Sequence, residues 1–301
     1  MPDPSLDPPL PVFSTVEAMQ AEADAARRAG RRLALVPTMG ALHAGHLSLI
    51  EEARRQVGPE GHVAVSVFVN PTQFGPGEDF DAYPRTLAAD LAALSGLDAP
   101  PDAVFAPTAE AMYPLGLPTL THVHVGKLGE RLCGAHRPGH FDGVTTVVTK
   151  LFLACRPDVA VFGQKDAQQL AVLRRMTAEL GFGIAVVGAP IVREADGLAL
   201  SSRNRYLGAE ERRQAVVLSR AVAAAAAAVA AGERSGNALV GLMTDEIGAA
   251  PMARVQYAEL VDADTLQPVD RLQPGQRALA AVAVYFGETR LIDNAAFTAP
   301  A

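Results

Sequence analysis

Residues 33 to 50 read LALVPTMGALHAGHLSLI, and this stretch does most to decide the fold. The apolar run LALV predicts a buried strand, Pro37 and Gly40 predict a turn, and the periodic residues that follow predict a helix. The spacing of three between His43 and His46 puts both imidazoles on one face at the start of that helix. Because the N–H groups of a helix N-terminus attract anions, these residue types suit a polyphosphate.

The two histidines also allow a second interpretation, in which both are surface residues beside an ordinary turn. Gly40 and Gly45 flank the pair, and a residue without a side chain lets a ligand approach the backbone closely. This segment alone leaves both interpretations open, so the decision depends on the rest of the chain.

Composition and charge indicate a globular protein with a full core. Hydrophobic residues make up 49% of the 301 residues and charged residues 20%. No uninterrupted apolar run approaches the roughly 18 residues of a membrane span. The formal net charge of −7 argues against a general affinity for nucleic acid. We therefore expect neither a nucleic-acid partner nor a membrane partner.

The cysteines and the N-terminus bear on the compartment. Cys133 and Cys155 are too few and too far apart for a metal site or a disulfide framework. Residues 1–11 are rich in proline and lack the basic start of a signal peptide, so they predict a disordered tail. These features favour a cytoplasmic enzyme or binding protein.

Residues 12–190 predict an α/β domain built on a Rossmann-like, doubly wound parallel sheet. Apolar runs typical of strands buried on both faces lie at 32–36, 63–69, 103–106, 158–162 and 183–187. Helical patterns alternate with them at 14–29, 46–56, 86–95, 143–155 and 167–180.

Residues 191–301 predict a smaller α+β C-terminal domain that would act as a lid. A polar loop at 193–207 leads into an alanine-rich helix, whose composition reflects high helix propensity. The later elements are a helix near 237–248 and strands near 255–261, 277–286 and 289–293. Gly287 predicts a hairpin turn between the last two strands.

Polar residues recur where the predicted strands end, and in open parallel sheets ligands bind outside the carboxyl ends of strands. Met39 and the two histidines follow the first strand, and Asn70 and Gln73 follow the second. The fourth strand is followed by Gly163, Gln164, Lys165 and Asp166, with Gln169 a few residues later. Each group alone is ordinary loop chemistry. Three such strand ends together indicate a binding site.

Several of these residues also have ordinary structural roles open to them. Lys165 would bind an anion at a helix start, or it is a solvated lysine. Asp166 would cap that helix, which does not prevent a bond to a ribose hydroxyl. Gln73 and Gln169 offer both donors and acceptors and suit a substrate with hydroxyl groups, although surface glutamines are common.

Two loops complete the candidate set. Ser201, Ser202 and Arg203 would clamp a terminal phosphate on a mobile lid, or they form a capping loop before the alanine-rich helix. Arg137 lies in the segment GAHRPGHF, which would contact the carboxylate of a small acid or a dimer partner. Residue chemistry alone does not choose between the two.

Taken together, the motifs resemble those of the pantoate–β-alanine ligase family, in that family's order and at similar spacing. They are PTMGALHAGH, FVNPTQF, YPRT, RPGHFDGV, FGQKDAQQL and GLALSSRN, and the resemblance covers about residues 13 to 295. HxGH alone indicates only the wider group of nucleotidyltransferases and class I synthetases. Its combination with FGQKDAQQL and SSRN is specific.

The resemblance implies an ATP-dependent condensation of D-pantoate with β-alanine, giving pantothenate, AMP and pyrophosphate through pantoyl adenylate. Mg²⁺ would accompany ATP, held mainly by phosphate oxygens and water. No tightly bound organic cofactor is implied, and a homodimer is expected.

The resemblance also assigns roles to residues. His46 would be a proton donor and would act with His43, Lys165 and Arg203 in catalysis. The ATP site would comprise Met39, Gly40, Ala41, Leu42, His43, Ala44, Gly45, His46, Gly163, Gln164, Lys165, Asp166, Val192, Leu200, Ser201, Ser202 and Arg203. Pantoate and β-alanine would be bound by Gln73, Gln169, Asn70 and Arg137.

The chain departs from the family pattern at a few positions. Ala44 stands where many members have an acidic residue, and Leu200 stands where methionine is common. Ala88 and Ala89 precede Asp90 where relatives often carry more acid, which puts a metal or packing role for extra carboxylates there in doubt.

Two other functions remain open from the sequence. One is another HxGH adenylyl- or cytidylyltransferase with a different acceptor. The other is a nucleotide-binding regulatory module that has lost catalysis, although the expected motifs are present.

Overall fold

The computed structural model describes residues 10–301, which divide into two compact units. The first unit holds the residues up to 125 together with 138–163 and 173–189, and the second holds 126–137, 164–172 and 190–301. Most of the tail predicted at 1–11 lies outside the described residues. Pro11 is described, and its carbonyl accepts a hydrogen bond from the Val104 N–H at 2.8 Å.

The first unit is built on a six-stranded sheet in which all neighbouring strands run parallel. Its strands are β1 (Val12–Phe13), β2 (Leu33–Thr38), β3 (His62–Val67), β4 (Ala103–Phe105), β5 (Val159–Gly163) and β6 (Ala185–Ala189), in the order β1-β4-β3-β2-β5-β6. The helices up to residue 179 are α1 (Val16–Arg28), α2 (Ala44–Val57), α3 (Leu87–Ser95), α4 (Ala109–Met112), α5 (Cys133–His136), α6 (His140–Cys155) and α7 (Ala167–Glu179). The predicted doubly wound α/β architecture is confirmed.

Strand β2 lies where the strand order reverses, and its two edges pair to different extents. It pairs with β3 along its whole length, but the register with β5 covers only Ala34↔Val159 and Leu35↔Ala160. The carbonyls of the even-numbered residues Arg32 and Thr38 accept hydrogen bonds from the β3 side. The backbone N–H and C=O groups of the odd-numbered residues of β2 therefore point toward β5. The backbone nitrogen of Pro37, which carries no hydrogen, therefore points toward β5, where the pairing of the two strands has already ended at Leu35.

This geometry explains an error in the predicted end of the strand. The predicted strand ends at residue 36 because Pro37 follows, whereas β2 continues to Thr38 through its pairing with β3. The separation of β2 from β5 lies at their carboxyl ends, at the switch point where ligands of such sheets bind.

The second unit contains a three-stranded antiparallel sheet covered by helices, so the predicted smaller α+β element is confirmed. Its strands are β7 (Ala253–Asp262), β8 (Arg277–Phe286) and β9 (Thr289–Thr298), and its further helices are α8 (Ala209–Ala215), α9 (Val217–Ala230) and α10 (Gly236–Gly248). Gly287 has φ of 55° in the β8–β9 hairpin. The segments 126–137 and 164–172 belong to this unit, whereas the sequence placed both before the boundary at 190.

One helical stretch among the described residues, Ala209–Ala230, is long and apolar enough by length and composition to cross a membrane. Five charged residues, Glu210, Glu211, Arg212, Arg213 and Arg220, lie within it, so the expectation drawn from uninterrupted apolar runs is not contradicted. A single stretch of this kind is weak evidence for a span. Leu218, Val222 and Val229 are buried in the core of the second unit, as is typical of a core helix.

At the amino end of the first sheet, Asp102 joins strands β3 and β4 to the preceding helices. Its carboxylate accepts the Val63 N–H at 2.9 Å and pairs with Arg54 at 2.8 Å and with Arg31. Burial alone would raise the pKa of Asp102, but the hydrogen bonds from Val63 and from the two guanidinium groups outweigh it. The pKa therefore lies below its ordinary value of 3.8.

We expect Asp102→Asn to lower the free energy of unfolding by about 2 kcal/mol at neutral pH, because it removes charge-assisted hydrogen bonds. The folded-state pKa lies below the unfolded one, so this stabilisation is complete above about pH 4 and is lost as the pH falls through the folded pKa. Urea unfolding at pH 7 and at pH 3 would measure the difference. An equal gap between variant and wild type at both pH values would contradict the assignment.

Candidate active site

The HxGH segment forms the turn between β2 and α2. His43 is the N-cap of α2, and His46 is the third residue of the helix. The two ring centroids lie 4.0 Å apart, and the His43 N–H points at His46 Nδ1 at 3.4 Å. Because a backbone N–H can only donate, Nδ1 is the acceptor in this contact, and a neutral His46 carries its proton on Nε2.

The carboxylate of Asp90 holds this turn, a role that the sequence motifs did not reveal. Asp90 is 2% exposed and accepts the N–H of Ala41 at 3.1 Å and the N–H of Leu42 at 2.8 Å. Ala41 has φ of 50°, an unusual backbone conformation for a residue with a side chain, and these bonds stabilise it. The N–H groups of Ala41 and Leu42 are thus already used within the protein.

The ends of β2 and β3 are brought together, as the sequence predicted for polar residues at strand ends. Gln73 lies in a short 3-10 helix, Pro71–Gln73, and its Nε2 contacts Met39 Sδ at 3.0 Å. Asn70 caps this helix, is 1% exposed and donates from Nδ2 to Gln73 Oε1 at 3.2 Å. The predicted residues Met39, Asn70 and Gln73 therefore form one cluster beside the HxGH turn.

Helix α6 packs its first turn against the same cluster. His140 Nδ1 lies 2.8 Å from the carbonyl of Gln73. A Cβ at Gly143 would lie 2.3 Å from the Thr72 carbonyl oxygen, so only glycine permits this approach. The motif GHFDGV thus has a packing role that its residue types alone did not reveal.

Lys165 and its neighbours belong to a 3-10 turn, Gln164–Asp166, that leads into α7. The turn lies in the second unit, and Asn294 donates to the carbonyls of Gln164 at 3.0 Å and Lys165 at 2.8 Å. Lys165 Nζ lies 3.7 Å from Asp166 Oδ2. The predicted residue Gly163 is the last residue of β5, in the first unit.

Two adjacent glutamines of α7 differ in their surroundings. Gln168 is 6% exposed, donates to the carbonyls of Leu128 and Arg131, and accepts the Cys133 N–H at 2.9 Å. It therefore holds the 126–137 segment in place within the second unit. Gln169, the predicted substrate-binding residue, is partly buried.

The SSRN loop is a short 3-10 helix, Ser202–Tyr206, with Ser201 as its N-cap. The Ser201 hydroxyl accepts the Arg203 N–H at 3.3 Å, so this serine caps the 3-10 helix itself, whereas the later helices α8 and α9 have Gly208 and Val216 as N-caps. Asn204 donates to Glu194 at 2.9 Å, and Arg212 pairs with the same carboxylate at 2.6 Å. Glu194 was not among the predicted site residues.

The remaining candidates also lie in the second unit. The Val192 carbonyl accepts the Leu200 N–H at 3.0 Å, which joins the two ends of the loop before SSRN. Arg137 follows α5 as its C-cap and is partly buried. Within residues 10–301, no group of three or more His, Cys, Asp or Glu side chains could hold a metal ion.

A doubly wound parallel sheet with an HxGH turn at its switch point defines a nucleotide-binding protein of the HxGH group. The family described as pantoate-beta-alanine ligase matches residues 11–296. The chain belongs to this family, so the recognition made from its motifs is confirmed, and it is a ligase.

Individual relatives agree with this family. The pantothenate synthetase of Salinibacter ruber is 60% identical over 95% of this chain and 97% of its own. A crystal structure of pantothenate synthetase from Thermus thermophilus has a TM-score of 0.85 at 46% identity, covering 95% of this chain and 98% of that one. Pantoate-beta-alanine ligase from Francisella tularensis, complexed with beta-gamma ATP and beta-alanine, has a TM-score of 0.74 at 29% identity, with coverage of 95% and 97%.

We expect Asp90→Ala to lower the free energy of unfolding by about 2–4 kcal/mol, because it leaves the N–H groups of Ala41 and Leu42 unsatisfied in a buried place. Urea unfolding would measure the loss. Asp98→Ala, at an exposed position just after α3, is the control and should change stability by less than about 0.5 kcal/mol. Equal effects of the two substitutions would show that Asp90 does not hold the turn.

Proposed function

We propose that this protein condenses D-pantoate with β-alanine at the expense of MgATP, through pantoyl adenylate, to give pantothenate, AMP and pyrophosphate. The observation that carries the proposal is the contact between the HxGH turn and the Asn70–Gln73 cluster, in a chain that matches this ligase family from residue 11 to residue 296. The Francisella relative was solved with an ATP compound and β-alanine, two ligands that this reaction requires.

In the first step, a pantoate carboxylate oxygen attacks the α-phosphorus of ATP, and the bond from that phosphorus to the bridging oxygen of pyrophosphate breaks. The protein has to orient the two reactants and offset negative charge on the leaving phosphates. His46 would donate from Nε2 to a phosphate oxygen, with His43 beside it. Lys165 and Arg203 would add positive charge, and magnesium enters as part of the substrate MgATP.

In the second step, the β-alanine amine attacks the acyl carbon of pantoyl adenylate, the bond from that carbon to the AMP oxygen breaks, and the amine loses a proton. Gln73 and Gln169 would hold the hydroxyl and carboxyl oxygens of pantoate, assisted by Asn70 and Arg137. A site that excludes water would favour the amine over hydrolysis of the adenylate.

The rest of the nucleotide would be bound by backbone and loop groups. Val192 would offer its N–H to the adenine, and Gly163 to Asp166 would lie along the ribose and phosphates. Ser201 to Arg203 would contact the terminal phosphates. A cytoplasmic location and a homodimer remain part of the proposal. The location rests on the cysteine content and the N-terminal composition, and the homodimer rests on the family resemblance.

The direct test is pyrophosphate release from MgATP with and without D-pantoate, followed by the appearance of AMP and pantothenate on addition of β-alanine. Pantoate-dependent pyrophosphate and β-alanine-dependent pantothenate are the expected results. Pyrophosphate release that is indifferent to pantoate would favour another HxGH nucleotidyltransferase. No release from folded protein that still binds ATP would favour a noncatalytic module.

We expect His46→Ala and Lys165→Ala each to lower turnover at least about tenfold while the fold survives, since each removes a group that would offset phosphate charge. Steady-state kinetics and circular dichroism would measure the two effects. His122→Ala is the control, because His122 is exposed and has no role in the proposal. Wild-type turnover in either variant would remove that residue from the mechanism.

A further inference from the structure

Tyr113 lies directly after helix α4 and has no role in the mechanism above, yet its hydroxyl ends inside the Asn70–Gln73 cluster. The side chain is 4% exposed, and its Oη lies 2.7 Å from Asn70 Oδ1. The Lys150 ammonium lies 5.4 Å from the centroid of the tyrosine ring. A tyrosine hydroxyl this deeply buried is expected to satisfy a specific polar partner.

The orientation of the Asn70 amide can be deduced from two backbone partners, because one of them can only accept and the other can only donate a hydrogen bond. Its Nδ2 faces the Gly143 carbonyl at 3.2 Å, and a carbonyl can only accept. Its Oδ1 faces the Thr72 N–H at 3.4 Å, and a backbone N–H can only donate. A flipped amide would place donor against donor and acceptor against acceptor. Asn70 Oδ1 is therefore an acceptor, and Tyr113 has to be the donor in their 2.7 Å contact.

The direction of the Asn70 hydrogen bonds also fixes the orientation of the Gln73 amide. Asn70 Nδ2 donates to Gln73 Oε1 at 3.2 Å, so the oxygen of this glutamine faces inward. The amide nitrogen of Gln73 faces the HxGH turn, where it contacts Met39 Sδ at 3.0 Å. A bound substrate would thus meet the nitrogen of Gln73, which is a donor only.

We infer that Tyr113 is a positioning residue for the binding of pantoate. The Tyr113 hydroxyl acts through Asn70, so that the Gln73 amide is presented as a hydrogen-bond donor to an oxygen of pantoate. The inference rests on the proposed function, in which Gln73 binds pantoate. Burial raises the pKa of Tyr113 above its ordinary value of 10.0, although the neighbouring Thr72 hydroxyl opposes the rise. The phenol therefore remains a donor throughout the neutral range.

The test is Tyr113→Phe, assayed for the KM of D-pantoate and the KM of ATP separately. Without the hydroxyl, Asn70 and Gln73 are less firmly oriented, and we expect the pantoate KM to rise about tenfold while the ATP KM stays within about twofold. Thr177→Val is the control, because it removes another buried hydroxyl bond of this unit, from Thr177 to the Leu173 carbonyl at 2.6 Å. It should lower the melting temperature and leave both KM values unchanged.

A double-mutant cycle with Gln73→Ala separates positioning from general damage. In the Gln73→Ala background, Tyr113→Phe should raise the pantoate KM no further, because the group that it orients is absent. Additive effects, equal increases in the two KM values, or a lower melting temperature with an unchanged pantoate KM would each overturn the inference.

A second variant and a wild-type assay complete the test. If Tyr113→Phe does not fold, Thr72→Val serves instead, because the Thr72 hydroxyl donates to the same Asn70 oxygen at 3.1 Å and its loss should raise the pantoate KM in the same selective way. The wild-type assay comes first: a wild type that makes no pantothenate contradicts the proposed function. An active wild type with an unaffected Tyr113→Phe variant contradicts this inference alone.

Discussion

The separation of strands β2 and β5 at Pro37 is the constraint on which the first unit depends. Strand β2 pairs with β3 up to Thr38 but with β5 only at Ala34 and Leu35. Because proline has no N–H to donate, continued pairing on the β5 side is disfavoured beyond Leu35. The chain then turns into α2 at the switch point of the sheet, which sets where the histidines lie.

Buried or partly buried polar side chains hold this arrangement at both ends of the sheet. At the carboxyl end, Asp90 accepts backbone N–H groups of the HxGH turn, and Asn70 orients the neighbouring 3-10 helix. At the amino end, Asp102 pairs with Arg31 and Arg54. Each group is satisfied by hydrogen bonds, and without them its burial would be costly. Asp90 therefore fixes the backbone near the predicted phosphate-binding residues without needing to touch a substrate.

The candidate site could be predicted only in part, and the misses share one cause. His43 and His46 are recognisable because both lie in one short motif whose helix start is a local feature. Asp90 bonds N–H groups 48 and 49 residues before it, and Asn294 bonds carbonyls 129 and 130 residues before it. No periodicity or motif within a window of sequence records such a pair. Asp90 lies in an ordinary helical pattern that gives no sign of its partner.

The sequence by itself determined the alternation of buried strands and helices, the turn after β2 and the family, because propensity, hydrophobic period and motif order are properties of neighbouring residues. Tertiary structure decided which segments join which unit, so that 126–137 and 164–172 belong with 190–301. It also decided the direction of the Asn70 and Gln73 amides. That direction depends on obligate donors and acceptors that folding brings together from distant parts of the chain.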